Sequence, residues 1–433
     1  LKFLAHLQLR KNGHARGRGG GHMGAMARTR TTAARTPAQR SRLHLHMVGR
    51  LRILGRSMNE RQRFVATLTF GRPDRIPFTP GGGRRSTRAA WREQGLPADV
   101  TDYHAYVREL IGIDPPDATQ PHVNPGINFN MIPEFEEKVI ETRPESQIVQ
   151  DWKGNVCEIG LEFSPVDLRG APDFCTRSWL SCPVESRADW PDMARRYDPN
   201  DPRRFPDDFA RRCAALAERD YPSGLTFPGP FWQLREWCGF EGLCMLTLDD
   251  PAFVERMVEL WRDFISAVLD KAFAHYVPDF VRFNEDMAYK QKPMIGPAMC
   301  RRFLLGCWTQ WAEQCRSAGV PIVEIDSDGH VGELMPVWLE AGVNCNSPLE
   351  VAAGNDLPAY RRQYGQRMAY RGGVDKRAMA AGGQTLRDEI DRLRPVIEAG
   401  GYIPGCDHAI PSDVSWPNFV EYCRLLARVT GWL

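Results

Sequence analysis

Five short apolar segments of this chain each end in polar or charged residues. The segments span 280–283, 322–325, 343–348, 368–373 and 401–405, and the residues that follow them include Glu285, Asp326, Glu350, Asp375 and Asp407. Apolar runs of this length are typical of buried parallel strands. Because the carboxyl ends of parallel strands meet at one edge of a sheet, the pattern predicts a β/α barrel with polar groups at its mouth.

Helical patterns alternate with these strands. Helices are predicted at 59–68, 209–220, 251–275, 297–318 and 386–399, and further strands at 75–79 and 225–229. Segment 147–166 alternates apolar and polar residues around Lys153-Gly154-Asn155, which predicts a β-hairpin outside the barrel. The predicted fold class is α/β, a single (β/α)8 TIM barrel with an inserted β-hairpin excursion.

The amino-acid composition is typical of a globular protein without membrane spans. The 433 residues are 42% hydrophobic and 25% charged, and no apolar stretch reaches the roughly 18 residues that a membrane span needs. None of the 12 cysteines forms a CxxC pair, which favours reduced thiols and a cytoplasmic protein. No P-loop, dinucleotide-binding glycine motif or Ser-His-Asp arrangement is visible.

Basic residues are concentrated at the N-terminus. Thirteen of the 56 lysines and arginines, and none of the 54 acidic residues, lie in residues 1–57. Such a segment is typical of a nucleic-acid-binding arm or a transit peptide, or else it is an over-extended reading frame or a vector-derived leader. We expect residues 1–57 to be a disordered leader outside the fold, residues 58–433 to form one barrel domain, and nucleic acid not to be a partner.

Four segments carry a family resemblance. They are 58–97, the turn Gly229-Pro230-Phe231-Trp232, the segment 284–290 (NEDMAYK) and 401–416. Together they resemble the uroporphyrinogen decarboxylase superfamily over essentially all of 58–433. That superfamily contains the haem-pathway decarboxylase and zinc-dependent methyltransferases that move methyl groups to or from corrinoid proteins or thiols. The resemblance implies a single β/α barrel with its site at the carboxyl ends of the strands.

The resemblance to the methyltransferases implies a metal site. Their zinc ligands lie in a His-x-Cys-Gly segment and at a late cysteine, which fall on 326–329 and on Cys406. The candidate ligands of a divalent metal are therefore Asp326, Asp328, Cys406 and His408, and zinc is favoured although oxygen ligands also suit other metals. Two alternatives stay open: Asp328 can belong to a turn while Asp326 caps a helix, and Asp407 can replace Cys406 or His408 as the inward-facing residue.

Two adjacent carboxylates, Glu285 and Asp286, argue against the decarboxylase branch of this superfamily. The decarboxylase has Asp-Ser where this chain has Glu285 and Asp286, and an added carboxylate would repel an anionic porphyrinogen. Glu285, Asp286 and Tyr289 are the candidate catalytic residues, although Tyr289 is equally consistent with packing at the barrel rim.

Six further residues are candidates for substrate binding. They are Arg84, Arg85, Asn128, Trp232, Asp375 and Lys376. The arginines follow a glycine-rich segment and are suited to bind an anion, and Trp232 is suited to wall a flat ligand. Asp375 and Lys376 suit carboxylate or anion binding, or Asp375 forms a purely structural ion pair.

The predicted function is metal-assisted methyl transfer between a small methylated substrate and a corrinoid protein or thiol. A separate protein would supply the corrinoid, because this chain contains no recognisable cobalamin-binding domain. The alternatives are decarboxylation of a carboxylated tetrapyrrole, and a barrel without catalysis that acts as a binding subunit.

A protein that starts at Met58 is expected to keep the melting temperature of the full chain, because residues 1–57 lack acidic groups and clear periodicity. Differential scanning calorimetry of both proteins measures this. A large loss of stability on truncation would contradict the prediction.

Overall fold

Six parallel strands form the central sheet of the protein. The structure, a computed structural model, describes residues 57–115, 124–170, 173 and 175–433. Its strands, numbered along the chain, are β1 (Lys138–Thr142), β2 (Ser146–Gln150), β3 (Val156–Gly160), β4 (Arg177–Ser181), β5 (Gly224–Pro228), β6 (Phe280–Asn284), β7 (Ile322–Ser327), β8 (Cys345–Pro348), β9 (Ala369–Val374) and β10 (Tyr402–Cys406). The central sheet has the order β10-β9-β8-β7-β6-β5, so neighbours in the sequence are neighbours in the sheet.

The parallel arrangement of the polar-ended segments is confirmed. Those five segments are β6 to β10, the segment predicted at 225–229 is β5, and all adjacent pairs run parallel. The carboxyl ends of the six strands therefore lie at one edge of the sheet. Closure into an eight-stranded barrel remains a prediction.

The strand predicted at 75–79 is wrong, because no β-strand includes these residues. Pro77 and Pro80 lack the N–H groups that a strand ladder requires. The Ile76 N–H instead donates to the carbonyl of Thr430, at the C-terminal end of the chain.

The predicted hairpin is confirmed as part of a separate antiparallel sheet. β2 and β3 pair around the turn at 153–155, and β1 and β4 extend the sheet to the order β1-β2-β3-β4. Val149, Cys157 and Ile159 form a small apolar cluster within this sheet. Both outer strands expose apolar side chains, including Ile140 and Leu180.

Sixteen α-helices lie in the described part of the chain. They are α1 (Glu60–Leu68), α2 (Arg85–Glu93), α3 (Tyr103–Ile111), α4 (Asp167–Gly170), α5 (Trp190–Ala194), α6 (Phe209–Ala217), α7 (Pro230–Cys238), α8 (Phe240–Asp249), α9 (Pro251–Phe273), α10 (Pro297–Phe303), α11 (Leu305–Ser317), α12 (Met335–Glu340), α13 (Leu357–Tyr364), α14 (Lys376–Ala381), α15 (Gly383–Glu398) and α16 (Trp416–Thr430). Helices α1, α6, α9 and α15 match predicted helices. The helix predicted at 297–318 is instead two helices, α10 and α11, which meet at Leu304.

One face of the central sheet, here called the inner face, packs on α1. Phe64 and Leu68 of α1 contact an apolar layer made of Phe280, Ile322, Cys345, Ala369 and Ile403. The ring centroids of Phe64 and Phe280 lie 5.6 Å apart. Because side chains alternate along a strand, the residues two positions after this layer lie on the same face and nearer the carboxyl ends.

No helix in the described ranges has the length and apolarity that crossing a bilayer requires. The predicted basic leader, apart from Ser57, lies outside the described residues.

Replacing Asp279 by alanine is expected to lower the free energy of unfolding by about 3–5 kcal/mol, because it leaves a buried guanidinium unpaired. The buried carboxylate of Asp279, directly before β6, accepts hydrogen bonds from Arg61 Nε (2.8 Å), Arg219 Nη2 (2.9 Å) and the Ser223 N–H (3.0 Å). Chemical denaturation of the purified variant measures the loss.

The matched control is Asp263→Ala, which removes a largely exposed partner of Arg262. It is expected to cost less than about 1 kcal/mol. Equal losses in the two variants would contradict a stabilising role for the buried pair.

Candidate functional site

Three side chains with metal-ligand atoms meet at the carboxyl ends of the central strands. A carboxylate oxygen of Asp328, a carboxylate oxygen of Glu350 and a ring nitrogen of His408 lie within 4.8 Å of one another. The three residues, here called the rim cluster, follow β7, β8 and β10. His408 Nε2 lies 3.0 Å from Asp328 Oδ2. No other group of three His, Cys, Asp or Glu ligands within the described ranges is as close.

Hydrogen bonds fix the carboxylate of Glu350. Its Oε2 accepts from the Gly329 N–H at 3.0 Å, and its Oε1 accepts from Lys376 Nζ at 2.8 Å. Gly329 has φ +78°, and a Cβ at this position would lie 2.2 Å from the Ala288 carbonyl oxygen. A side chain at position 329 would clash with this carbonyl, so only glycine fits here. The hydrogen bond from the Gly329 N–H to Glu350 links the loop after β7 to the loop after β8.

The carboxylate of Asp407 adjoins the rim cluster without joining it. It is fully buried and accepts from the Val351 N–H (2.9 Å) and the Lys376 N–H (3.2 Å). Burial raises the pKa of Asp407 to about 6, and the charge of Lys376 opposes this rise. Of the alternatives at 406–408, His408 is therefore the residue that reaches the other two ligand-type side chains.

Asp286 lies within electrostatic reach of the rim cluster. Its backbone has φ +37°, and its Oδ2 pairs with Arg235 Nη2 at 3.2 Å. Burial raises the pKa of Asp286, the negative charges of Asp328 and Glu350 raise it further, and Arg235 opposes the rise. A carboxyl group with a raised pKa beside a cluster of charged side chains is a candidate for proton exchange.

Two predicted metal ligands lie outside the rim cluster. Asp326, on the inner face of β7, accepts a hydrogen bond from Ser347 Oγ at 2.9 Å, and burial raises its pKa to about 6. Cys406 ends β10 as a buried thiol whose pKa burial raises to about 12. Both residues line a cavity of about 230 Å³, here called the inner cavity.

An ion triad borders the inner cavity. Arg282 donates from Nε and Nη2 to Glu324 Oε2 at 3.1 Å, and Arg371 donates from Nη1 to both oxygens of Glu324 at 3.2 and 3.0 Å. Burial opposes ionisation of Glu324, but the two arginines lower its pKa to about 2. Both arginines also line the cavity.

Glu285 contacts helix α7 and not the rim cluster. Its Oε2 accepts from the Trp232 N–H at 3.0 Å, and its Oε1 accepts from Trp308 Nε1 at 2.5 Å. Burial raises the pKa of Glu285 to about 8, and these hydrogen bonds oppose the rise. The side chain stabilises the first turn of α7, and the Trp232 ring lies 4.7 Å from Arg235 Cζ.

Arg84 and Arg85 lie at the start of α2, beside the loop that carries His408. Thr87 Oγ1 in the same helix donates to the Ile410 carbonyl at 2.7 Å. The start of α2 therefore lies near this loop, while Arg85 lines a separate pocket with Arg88 and Arg92. The role of the two arginines in substrate binding stays a prediction.

The remaining predicted residues make local contacts. Asp375 caps α14 and pairs with Arg377 Nη2 at 2.8 Å, which matches its structural interpretation. Asn128 Oδ1 accepts from the Asn130 N–H at 2.8 Å. Tyr289 exposes 53% of its surface. No signal in the sequence separates these residues from ordinary loop positions, and their roles in the site stay predictions.

Sequence reasoning missed Glu350 and the ion triad as parts of the site. Glu350 follows an apolar segment like the other rim residues, so the same pattern contained its signal. Arg282 and Glu324 each interrupt an apolar strand segment with a charge. Opposite charges at matching positions of two neighbouring buried strands indicate an ion pair between them.

Comparison with known proteins leaves the family of this chain open. No family model matches the chain, and no curated protein matches it. The chain is similar to a methyltransferase from Methanosarcina mazei, with 13% identity, a TM-score of 0.48, and coverage of 86% of this chain and 98% of that chain. It is also similar to a B12-independent methionine synthase from Shewanella sp. W3-18-1, with 10% identity, a TM-score of 0.38, and coverage of 82% and 97%. Both TM-scores lie below 0.5, so neither similarity establishes an activity.

In the presence of a chelator, the pair between Asp328 and His408 is expected to stabilise the fold more at pH 6 than at pH 8. The hydrogen bond with Asp328 raises the pKa of His408 above its ordinary value of 6.5. The stabilisation is therefore complete below about pH 6.5 and is lost as the pH rises through the folded-state pKa. Its size is expected to be below about 1 kcal/mol, because both side chains are partly exposed.

Urea denaturation of the wild type and of Asp328→Asn across this pH range measures the effect. The variant is expected to show a flatter pH dependence, whereas Asp413→Asn, at an exposed position, is expected to behave as the wild type. An unchanged pH profile in Asp328→Asn would contradict the prediction.

Proposed function

We propose that this protein is an enzyme that binds a divalent metal at the rim cluster and transfers a methyl group between a small methylated substrate and a corrinoid protein or thiol. The observation that carries the proposal is the convergence of Asp328, Glu350 and His408 within 4.8 Å at the carboxyl ends of three parallel strands. Enzymes built on parallel β/α sheets place their sites at this edge.

The donor set fits a catalytic metal. Two carboxylate oxygens and one imidazole nitrogen are a ligand number and type that catalytic zinc uses, with a further position open to substrate. Two oxygen donors also suit harder divalent ions, so the proposal is for a divalent metal, with zinc favoured. When bound, such an ion would act as a Lewis acid toward the substrate atom that carries or accepts the methyl group.

The surrounding residues of the chain hold and serve this site. Lys376 Nζ and the Gly329 N–H orient the carboxylate of Glu350, so that its remaining lone pairs are presented in a fixed direction. Asp286, held by Arg235, is the group proposed to accept a proton from the acceptor and return it to the product. The Trp232 ring, stacked near Arg235, would wall the site on that side.

The choice of methyl transfer among metal-assisted reactions rests on the resemblance of four segments of the sequence to the uroporphyrinogen decarboxylase superfamily. The corrinoid is proposed to arrive on a separate protein.

Decarboxylation is the second candidate function. The observation that favours it is the pair of arginines, Arg282 and Arg371, beside the inner cavity, because guanidinium groups stabilise negative charge that develops in a decarboxylation. Efficient conversion of uroporphyrinogen to coproporphyrinogen, abolished in Arg84→Ala or Asp286→Ala, would replace methyl transfer by this function.

A protein with neither metal nor turnover would instead fit the third alternative, a barrel without catalysis that acts as a binding subunit.

Asp328→Ala, Glu350→Gln and His408→Gln are each expected to lower the metal content of the purified protein severalfold, because each removes one of the three ligand atoms. The same variants are expected to lose methyl transfer from methylcobalamin to a panel of small thiols, and from methylated compounds to cob(I)alamin prepared with a chemical reductant. Elemental analysis and the visible spectrum of the corrinoid measure the two effects, and far-UV circular dichroism checks the fold.

Asp326→Asn and Cys406→Ser are the matched controls, because both residues line the inner cavity and neither belongs to the rim cluster. They are expected to keep the metal. Loss of metal in the controls but not in the rim variants would show that the metal binds in the inner cavity instead of at the rim cluster.

A further inference from the structure

The inner face of the central sheet carries charges where barrel interiors normally carry branched apolar side chains. Two positions after the apolar layer that packs on α1, the strands place Arg282 on β6, Glu324 on β7 and Arg371 on β9. Arg282 and Glu324 are directly paired in the sheet register. A charged layer on a buried face is costly unless its members are paired or meet a ligand.

The pairing in this layer is incomplete. Glu324 occupies Nε and Nη2 of Arg282 and Nη1 of Arg371. Arg282 Nη1, Arg371 Nε and Arg371 Nη2 have no hydrogen-bond partner among the residues that the structure describes. Glu324 alone accepts hydrogen bonds from both guanidinium groups, while Asp326 adds a second negative charge near Arg282. Three N–H bearing nitrogens are left for another acceptor.

These unpaired donors belong to side chains that border the inner cavity. The side chains of Arg282 and Arg371 keep 22% and 16% of their surface exposed, although they sit on the inner face of the sheet. The cavity has a volume of about 230 Å³ and also contacts Asp326 and Ser347. Its size suits a small organic molecule, and Asp326 offers an acceptor for a donor group on that molecule.

We propose that the inner cavity binds the carboxylate of a small organic acid through Arg282 and Arg371, and an O–H or N–H group of the same molecule through Asp326. The further inference that this acid is also the substrate of the rim cluster rests on the proposed function. It names the substrate class as small hydroxy or amino acids and their methylated derivatives. The paired geometry of two guanidinium groups is suited to the planar carboxylate.

The test uses the full-length protein in the presence of a chelator, so that metal binding plays no part. Isothermal titration with acetate, glycolate and ethylammonium, at constant ionic strength, measures binding. Acetate and glycolate are expected to bind saturably, glycolate more tightly because its hydroxyl reaches Asp326, and ethylammonium is expected not to bind. Absence of saturable carboxylate binding would overturn the proposal and leave the metal site unaffected.

Variants assign the binding to the cavity. Arg371→Gln is expected to weaken glycolate binding at least tenfold, and Asp326→Asn is expected to weaken glycolate binding but not acetate binding. Arg367→Gln, an exposed arginine outside the cavity, is the control and is expected to bind glycolate as the wild type does. Equal binding by Arg371→Gln and Arg367→Gln would overturn the proposal.

A second measurement on the wild type covers the case in which Arg371→Gln does not fold. Phenylglyoxal modifies accessible guanidinium groups, and peptide mass spectrometry reports the extent of modification at each arginine. Saturating glycolate is expected to protect Arg282 and Arg371 severalfold while Arg367 stays reactive. Unprotected Arg282 and Arg371 would refute binding at these residues.

Discussion

The carboxylate of Asp407 is the contact on which the geometry of the candidate site depends. Asp407 follows β10 and accepts hydrogen bonds from the backbone of Val351, after β8, and of Lys376, after β9. Three strand ends are therefore fastened by one buried side chain. Since Glu350 precedes Val351 and His408 follows Asp407, two members of the rim cluster are placed by these bonds. A buried carboxylate with backbone donors on two loops is costly to replace, because its removal leaves both N–H groups unsatisfied.

Much of the central sheet could be predicted from the sequence, because its signal is local. An apolar run followed by a polar residue marks both a buried strand and its carboxyl end, and five of the six strands are predicted in this way. The segment 75–79 shares the apolar character of a strand, but its prolines remove the ladder donors. The antiparallel partners of the hairpin, β1 and β4, lie in sequence that is less regularly alternating, and they became visible only through their pairing.

The candidate site was predictable only in part. Asp326 and Asp328 are two positions apart and would share one side of a continuous strand, but β7 ends at Ser327. Alternation stops there, so Asp328 turns to the rim while Asp326 stays on the inner face. Glu350 was visible as a polar residue after a strand, yet its contact with Lys376 depends on how two loops meet, which no local pattern encodes. The resemblance of short segments suggested ligand positions, but such a resemblance does not distinguish neighbouring residues whose side chains diverge at a strand end.

The antiparallel sheet β1 to β4 can change in sequence during evolution more freely than the central sheet. Its interior, formed by Val149, Cys157 and Ile159, is separate from the main core, so its sequence is not held by the packing that positions the strand ends. Substitutions confined to this interior would leave the rim cluster and inner cavity in place, whereas Lys153 and Trp152 tie the hairpin turn to Glu236 on α7 and to the main core. Related proteins could therefore differ in the exposed outer strands of this sheet, and in the surface they offer to other molecules, while retaining the same rim cluster.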